Sequence, residues 1–95
     1  MEIKIVITRT VPKDKQDQLR PLLLQLRALA TSQPGYISGE TLRNLDNPEE
    51  YLVISTWKSK ENWDAWFNNP QRMEVQKKID SMLGQKTTYA RYLYG

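Results

Sequence analysis

The 95-residue sequence contains neither cysteine nor histidine. Without cysteine it can form no disulfide bond, and it has no thiolate to serve as a nucleophile or a metal ligand. Without histidine it lacks the commonest metal ligand and the side chain whose unperturbed pKa lies nearest neutrality. These absences exclude zinc sites, histidine-ligated haem and catalytic triads built from the chain's own side chains. We therefore expect a protein that uses no metal and no cofactor.

Long apolar runs and concentrated basic charge are missing as well. No apolar segment approaches the roughly 20 residues that a membrane-spanning helix needs. The 14 Lys and Arg residues exceed the 11 Asp and Glu residues by only three, and the longest basic run is Lys77-Lys78. Scattered charge is typical of a solvated surface and not of a nucleic-acid interface. The N-terminus lacks the basic and apolar regions of a signal peptide, so we expect a soluble, cytoplasmic protein that binds neither nucleic acid nor membrane.

The length bounds the architecture. A chain of this size forms a single domain, residues 1–95. Such a domain buries only about 60–65% of the surface that its unfolded chain exposes, so its stability alone is marginal. Association with a second copy is a natural way to bury more.

Hydrophobic periodicity predicts four strands and three helices. The strands are predicted over 3–11, 36–45, 51–57 and 87–94, and the helices over 13–32, 60–68 and 70–83. Pro21 lies inside the first helical stretch and cannot donate a hydrogen bond to the Asp17 carbonyl, so we expect a kink or a delayed helix start there. Ser59 and Asn69 are predicted N-caps of the two later helices, and Gly84 is the predicted end of the last.

The order strand, helix, strand, strand, helix, strand is that of a ferredoxin-like α+β fold. This fold has a four-stranded antiparallel sheet with its helices on one face. The third strand carries Leu52 and Ile54 on one side and Val53 and Trp57 on the other. In a sheet with one solvent-exposed face, apolar and polar residues would alternate more regularly along each strand. We therefore expect the second face to be covered by another copy, as a homodimer.

Three tryptophans fall within ten residues, at Trp57, Trp63 and Trp66. Trp63 and Trp66 are three residues apart and therefore share one face of the predicted helix. Two interpretations are open: the cluster is an aromatic slot for a planar ligand, or it is ordinary core packing. An indole N–H in a buried site also needs an acceptor, and a ligand could supply one.

The chain resembles the antibiotic biosynthesis monooxygenase-type domain. The resemblance rests on Pro34-Gly35-Tyr36 at the entry to the second strand, Leu42-Arg43-Asn44 before the turn, Trp57 at the end of the third strand, and the aromatic helix that precedes Asn69-Pro70. It implies a homodimeric α+β barrel with a pocket in each subunit between sheet and helices. Some members oxygenate phenolic or quinol substrates with dioxygen and without a cofactor.

The resemblance also implies site residues. Such members line the pocket with an Asn, a strand-end Trp, a Tyr and a helix Arg, and the corresponding positions here hold Val53, Trp57, Trp63 and Lys77. We expect Trp57, Trp63 and Lys77 to be the catalytic residues. The substrate pocket is expected to be lined by Val53, Trp66, Tyr36 and Tyr89.

A second branch of the same superfamily degrades haem and shares the helix tryptophan, here Trp66. Its iron ligand is a histidine ten residues further on, a position that Gln76 occupies in this chain, so haem degradation by that scheme is excluded. Two hypotheses remain. The first is a cofactor-independent monooxygenase that acts on an aromatic, quinol-like small molecule. The second is a non-catalytic homodimer that binds a small molecule or has a purely structural role.

Overall fold

A computed structural model describes residues 1–95. It has four strands and three α-helices in the predicted order. These are β1 (Ile3–Thr10), α1 (Gln16–Thr31), β2 (Tyr36–Arg43), β3 (Glu50–Trp57), α2 (Lys60–Phe67), α3 (Pro70–Leu83) and β4 (Thr88–Leu93). No helix has the combination of length and apolar character that crossing a membrane requires.

The strands form one antiparallel sheet in the order β2-β3-β1-β4. On β1, Ile3 and Ile5 are buried and lie opposite Trp57 and Ser55 of β3. They pack with Leu19 of α1 and other helix residues in one hydrophobic core. The helices therefore cover one face of the sheet, as the ferredoxin-like prediction requires.

Pro21 does not mark the start of α1. A short 3₁₀ turn, Lys13–Lys15, precedes the helix, which begins at Gln16 and continues through Pro21. Pro21 removes the hydrogen bond that its nitrogen would donate to the Asp17 carbonyl. Both residues are exposed, so water can bond to that carbonyl and the helix tolerates the proline.

The ends of α2 and α3 are fixed by their predicted caps. The Ser59 Oγ accepts a hydrogen bond from the backbone N–H of Asn62 at 3.2 Å. The Asn69 Oδ1 accepts from the backbone N–H groups of Gln71 and Arg72 at 2.9 and 3.1 Å. Gly84 adopts a left-handed φ of 68° and ends α3, as glycine does at a helix C-terminus. The two N-caps thus satisfy backbone N–H groups in the first turns of both helices.

The face of the sheet that the helices leave uncovered carries several apolar side chains. Val6, Leu52 and Ile54 project from it and are half-buried, whereas Leu42 and Tyr92 are 44% and 56% exposed. The two-sided apolar character predicted for the third strand is therefore present.

Candidate functional site

A cavity of about 370 Å³ lies between the sheet and the helices. This volume is within the range of small-molecule sites, about 300–1,000 Å³. Every strand and every helix contributes to its lining. Examples, in chain order from β1 to β4, are Ile7, Leu26, Tyr36, Trp57, Trp63, Arg72 and Tyr89.

Six of the seven side chains that the sequence assigns to a site line this cavity. They are Val53, Trp57, Trp63, Trp66, Tyr36 and Tyr89. Lys77 is the exception: it is exposed on α3 and does not line the cavity. Its neighbours Val75, Gln76 and Ile79 occupy the buried positions of the helix, and this phase directs Lys77 to solvent.

Trp57 is the centre of the aromatic cluster. Its ring lies edge-on to Tyr36 and Trp63, with centroids 5.4 and 5.6 Å away, and stacks on Trp66 at 6.5 Å and 19°. Trp57 is only 1% exposed and belongs to the core, yet it also lines the cavity. The cluster therefore belongs to the hydrophobic core and also forms part of the cavity wall.

The indole N–H of Trp57 has an acceptor within the chain. It donates to the Ser55 Oγ at 3.1 Å, so no ligand is needed to satisfy it. A hydroxyl that accepts one hydrogen bond still has its own proton to donate. Ser55 lines the cavity and so provides a polar group beside the aromatic wall, which sequence reasoning did not identify.

Arg72 and Tyr89 form a polar pair at the cavity. Arg72 is 5% exposed; its Nη1 donates to the Phe67 carbonyl at 2.9 Å, and its Nη2 donates to the Tyr89 hydroxyl. Burial lowers the pKa of Arg72 and raises the pKa of Tyr89, although Arg72 and Arg9 act on Tyr89 in the opposite sense. Tyr89 therefore holds its proton at neutral pH and can donate it in a hydrogen bond.

A second arginine, Arg9 of β1, lines the same cavity and is 7% exposed. Its Nη2 donates to the Gln76 Oε1 at 3.3 Å, and its buried Nε has no hydrogen-bond partner. Gln76 in turn donates from Nε2 to Asp80 and Thr87, at 3.0 and 2.9 Å. Burial lowers the pKa of Arg9 as well.

The cavity concentrates arginine. Five of the chain's six arginines line it, at positions 9, 20, 27, 43 and 72, together with none of the eight lysines and a single carboxylate, Glu40. No cluster of three or more Asp, Glu, His or Cys residues is present anywhere in the chain. Since guanidinium groups repel cations, this donor set fits an anion and not a metal ion.

The sequence did contain signals for the two buried arginines. Arg9 has the same strand phase as Ile3, Ile5 and Ile7, so alternation places it on the buried face of β1. Arg72 precedes Val75 and Ile79 by three and seven residues and therefore lies on the buried side of α3.

Comparison with known proteins agrees with this fold. The model of the family described as antibiotic biosynthesis monooxygenase matches residues 2–78. Protein SchA of Streptomyces halstedii is 22% identical over 78 residues, which are 82% of this chain and 20% of SchA. The mycobilin-producing heme oxygenase of Mycobacterium tuberculosis is 36% identical over 39 residues, 41% of this chain and 37% of that protein. The chain thus spans about a fifth of SchA and covers just over a third of the heme oxygenase.

A solved structure extends the agreement to the whole chain. A mutant of SnoaB, a cofactor-independent oxygenase from Streptomyces nogalater, superimposes with a TM-score of 0.84 at 16% identity, and covers 98% of this chain and 92% of that one. At this identity the likeness establishes the fold alone. Because the family model matches most of the sequence, the chain belongs to the antibiotic biosynthesis monooxygenase family.

Proposed function

We propose that the protein is a cofactor-independent monooxygenase that acts on a planar, quinol-like aromatic molecule. The observation that carries this proposal is the cavity itself, whose lining brings tryptophan rings together with the Arg72–Tyr89 pair; the ring centroids of Trp63 and Tyr89 are 6.1 Å apart. A flat aromatic ring fits beside the tryptophans, and the Arg72–Tyr89 pair stabilises an oxygen anion on that ring. The description of SnoaB as a cofactor-independent oxygenase supports the same chemistry.

The reaction requires an electron-rich substrate anion. A phenol or quinol that loses a proton can pass electrons to dioxygen and form a carbon–oxygen bond, which gives a hydroperoxide once a proton is added. Loss of water then leaves a carbonyl, so that one oxygen atom enters the product and the other leaves as water. The protein needs only to bind the ring, stabilise the anion and exclude bulk water.

The chain's residues divide these tasks. Trp57, Trp63 and Trp66 hold the ring, with Val53 and Tyr36 on the adjoining strands. The Arg72 guanidinium and the Tyr89 hydroxyl face the developing oxyanion. A nearby positive charge lowers the pKa of a bound phenol, which favours its ionised form.

Neither Tyr89 nor Lys77 is suited to act as the base that deprotonates the substrate. Burial raises the pKa of Tyr89, and Lys77 is exposed away from the cavity. Solvent hydroxide therefore takes the proton before or during binding, and the turnover rate rises with pH toward the pKa of the substrate, without the falling limb that an imidazole would add.

The active form is proposed to be a homodimer. Half-buried Leu52 and Ile54, with Val6 beside them, form an apolar surface on the uncovered face of the sheet. Packing two such sheets face to face closes the α+β barrel that is typical of the family. An obligate interface of this kind buries upward of about 2,000 Å² in total.

Oxygen uptake tests the proposal. The purified protein, without added flavin, metal or nicotinamide, is mixed with a panel of quinols, anthrones and catechols in an oxygen electrode. Uptake above the autoxidation rate, proportional to protein concentration, is expected for at least one of them. Traces identical to buffer throughout the panel would overturn the oxygenase and favour the non-catalytic binding or structural role.

A further inference from the structure

Arg9 and Arg72 are the two charged residues that the fold buries, and the proposed reaction uses only Arg72. Arg9 is 7% exposed and lines the cavity. Burying a charge without an ionic partner is costly, and proteins rarely do so without a reason in binding or catalysis. The surroundings of Arg9 show what kind of partner it lacks.

No carboxylate forms an ion pair with either buried arginine. The chain's three salt bridges join Arg20 to Asp17, and Lys60 and Arg91 to Asp64. Asp80 is the carboxylate closest to Arg9 in the hydrogen-bond network, but it is reached only through Gln76, which bonds to both. The Nε–H of Arg9 has no acceptor at all. The guanidinium therefore has both an uncompensated charge and an unused donor.

The type of basic residue that lines the cavity also favours an anionic ligand. Arginine and lysine are both abundant in the chain, yet five of six arginines and none of eight lysines line this one cavity. Guanidinium differs from ammonium in its planar fork of donors, which pairs with the two oxygens of a carboxylate and stacks on aromatic rings. Arg20, Arg27 and Arg43 are exposed, whereas Arg9 and Arg72 are the buried guanidinium groups of the cavity.

We propose that the substrate is an aromatic acid, and that Arg9 binds its carboxylate while the aromatic ring lies against the tryptophans. The proposal deepens the function given above and rests on it. One ligand then carries two anionic groups: a permanent carboxylate at Arg9 and an oxyanion at Arg72 that forms during the reaction. A carboxylate beside the Arg9 guanidinium would supply the counter-charge that the protein does not provide.

A matched pair of ligands isolates the carboxylate. Binding of a hydroxynaphthoate and of the corresponding hydroxynaphthamide is measured by calorimetry under anaerobic conditions, so that no turnover occurs. The two have the same ring and nearly the same shape, and they differ in charge. We expect the acid to bind to the wild-type protein at least about tenfold more tightly than the amide, as for a charge-assisted hydrogen bond.

Arg9→Met should remove that preference. Acid binding should weaken by about tenfold or more, whereas amide binding should change by less than about twofold. Arg91→Met is the matched control, because Arg91 is the one arginine outside the cavity and should leave both affinities unchanged. If Arg9→Met fails to fold, Arg9→Lys retains the charge without the planar fork; it should still weaken binding of the acid and spare that of the amide, and an unchanged preference for the acid would overturn the assignment to Arg9.

Each outcome has a definite meaning. Equal affinity for acid and amide in the wild-type protein, or no binding of the acid up to its solubility limit, overturns the aromatic-acid proposal even if neutral quinols consume oxygen. A clear preference for the acid without oxygen uptake from any phenolic acid supports the anion site and overturns the oxygenase. Loss of acid binding in Arg91→Met to the same degree as in Arg9→Met would assign the effect to overall charge and also overturn the proposal.

Discussion

The Trp57 indole N–H donates a hydrogen bond to the Ser55 Oγ, two residues earlier on the same face of β3, at 3.1 Å. Both residues are buried. Ser55→Ala would leave a buried donor unsatisfied, so we expect it to lower the free energy of unfolding by about 1–3 kcal/mol. Urea denaturation followed by tryptophan fluorescence measures the change. Ser38→Ala, at an exposed position of β2, is the control and should stay within about 0.5 kcal/mol.

Gly35 and Gly84 provide a second matched comparison. Both have a positive φ, of 84° and 68°, but a Cβ at Gly35 would lie 2.3 Å from the Asn62 Cγ, whereas one at Gly84 would meet nothing within 4 Å. Gly84→Ala should cost only the strain of the backbone conformation, about 1–2 kcal/mol. Gly35→Ala should cost more, because Asn62 must move as well. Equal losses of stability in the two variants would contradict this contact.

The raised pKa of Tyr89 predicts a dependence of stability on pH. Burial is its main cause, so the folded protein holds the Tyr89 proton more tightly than the unfolded chain does. As the pH rises above about 10, the unfolded chain ionises first and the free energy of unfolding falls. The arginines remain protonated over this range. Tyr89→Phe should reduce the fall, whereas Tyr94→Phe, at a position 61% exposed, should leave it unchanged; denaturation series between neutral and alkaline pH test both.

Arg72 and Lys77 are the two candidates for the cation that stabilises a substrate anion. Arg72 is buried at the cavity, and Lys77 is exposed away from it. Binding of a naphthohydroquinone is measured under anaerobic conditions from its quenching of tryptophan fluorescence. We expect Arg72→Met to raise the dissociation constant by about tenfold or more, and Lys77→Met to change it by less than about twofold. A larger effect of Lys77→Met would restore the assignment suggested by family resemblance.

The uncovered sheet face predicts the oligomeric state. Light scattering at micromolar concentration should give the mass of a dimer for the wild-type protein. Ile54→Lys places a charge on the apolar face and should yield a monomer, because a desolvated unpaired charge at an interface is strongly unfavourable. Leu45→Lys alters a residue that is 97% exposed in a turn and should remain dimeric. A monomeric wild-type protein would refute the dimer.

The sequence predicted the order of the elements and most of the aromatic side of the cavity. Alternation on β1 and β3 and the three- and four-residue spacing on the helices are local signals, and each agrees with the structure. The start of α1 was less predictable, because a proline within a helix is tolerated where solvent can replace its missing hydrogen bond, as at Pro21.

The polar side of the cavity was harder to predict. Arg9 and Arg72 are far apart in sequence, and their proximity depends on how α3 crosses the sheet. Both arginines fall at positions where the pattern of β1 and α3 predicts burial. Charged residues are nevertheless expected on the surface, so the pattern alone did not identify them as buried. Lys77 was favoured because the family resemblance places it near the position of a helix arginine, but its position on the turn of α3 directs it to solvent.

Because every strand and helix contributes to the cavity wall, a ligand bound there is held by the entire tertiary structure and not by one loop. Its binding energy is then available only to the folded state, and at a hundredfold excess over its dissociation constant it would add about 2.7 kcal/mol to the free energy of global unfolding. Some backbone amides exchange their hydrogens only when the whole protein unfolds. Ligand binding should slow the exchange of these amides in all seven elements together. The same property makes the protein suited to thermal-shift screening, in which any cavity ligand reveals itself by a higher melting temperature before its chemistry is known.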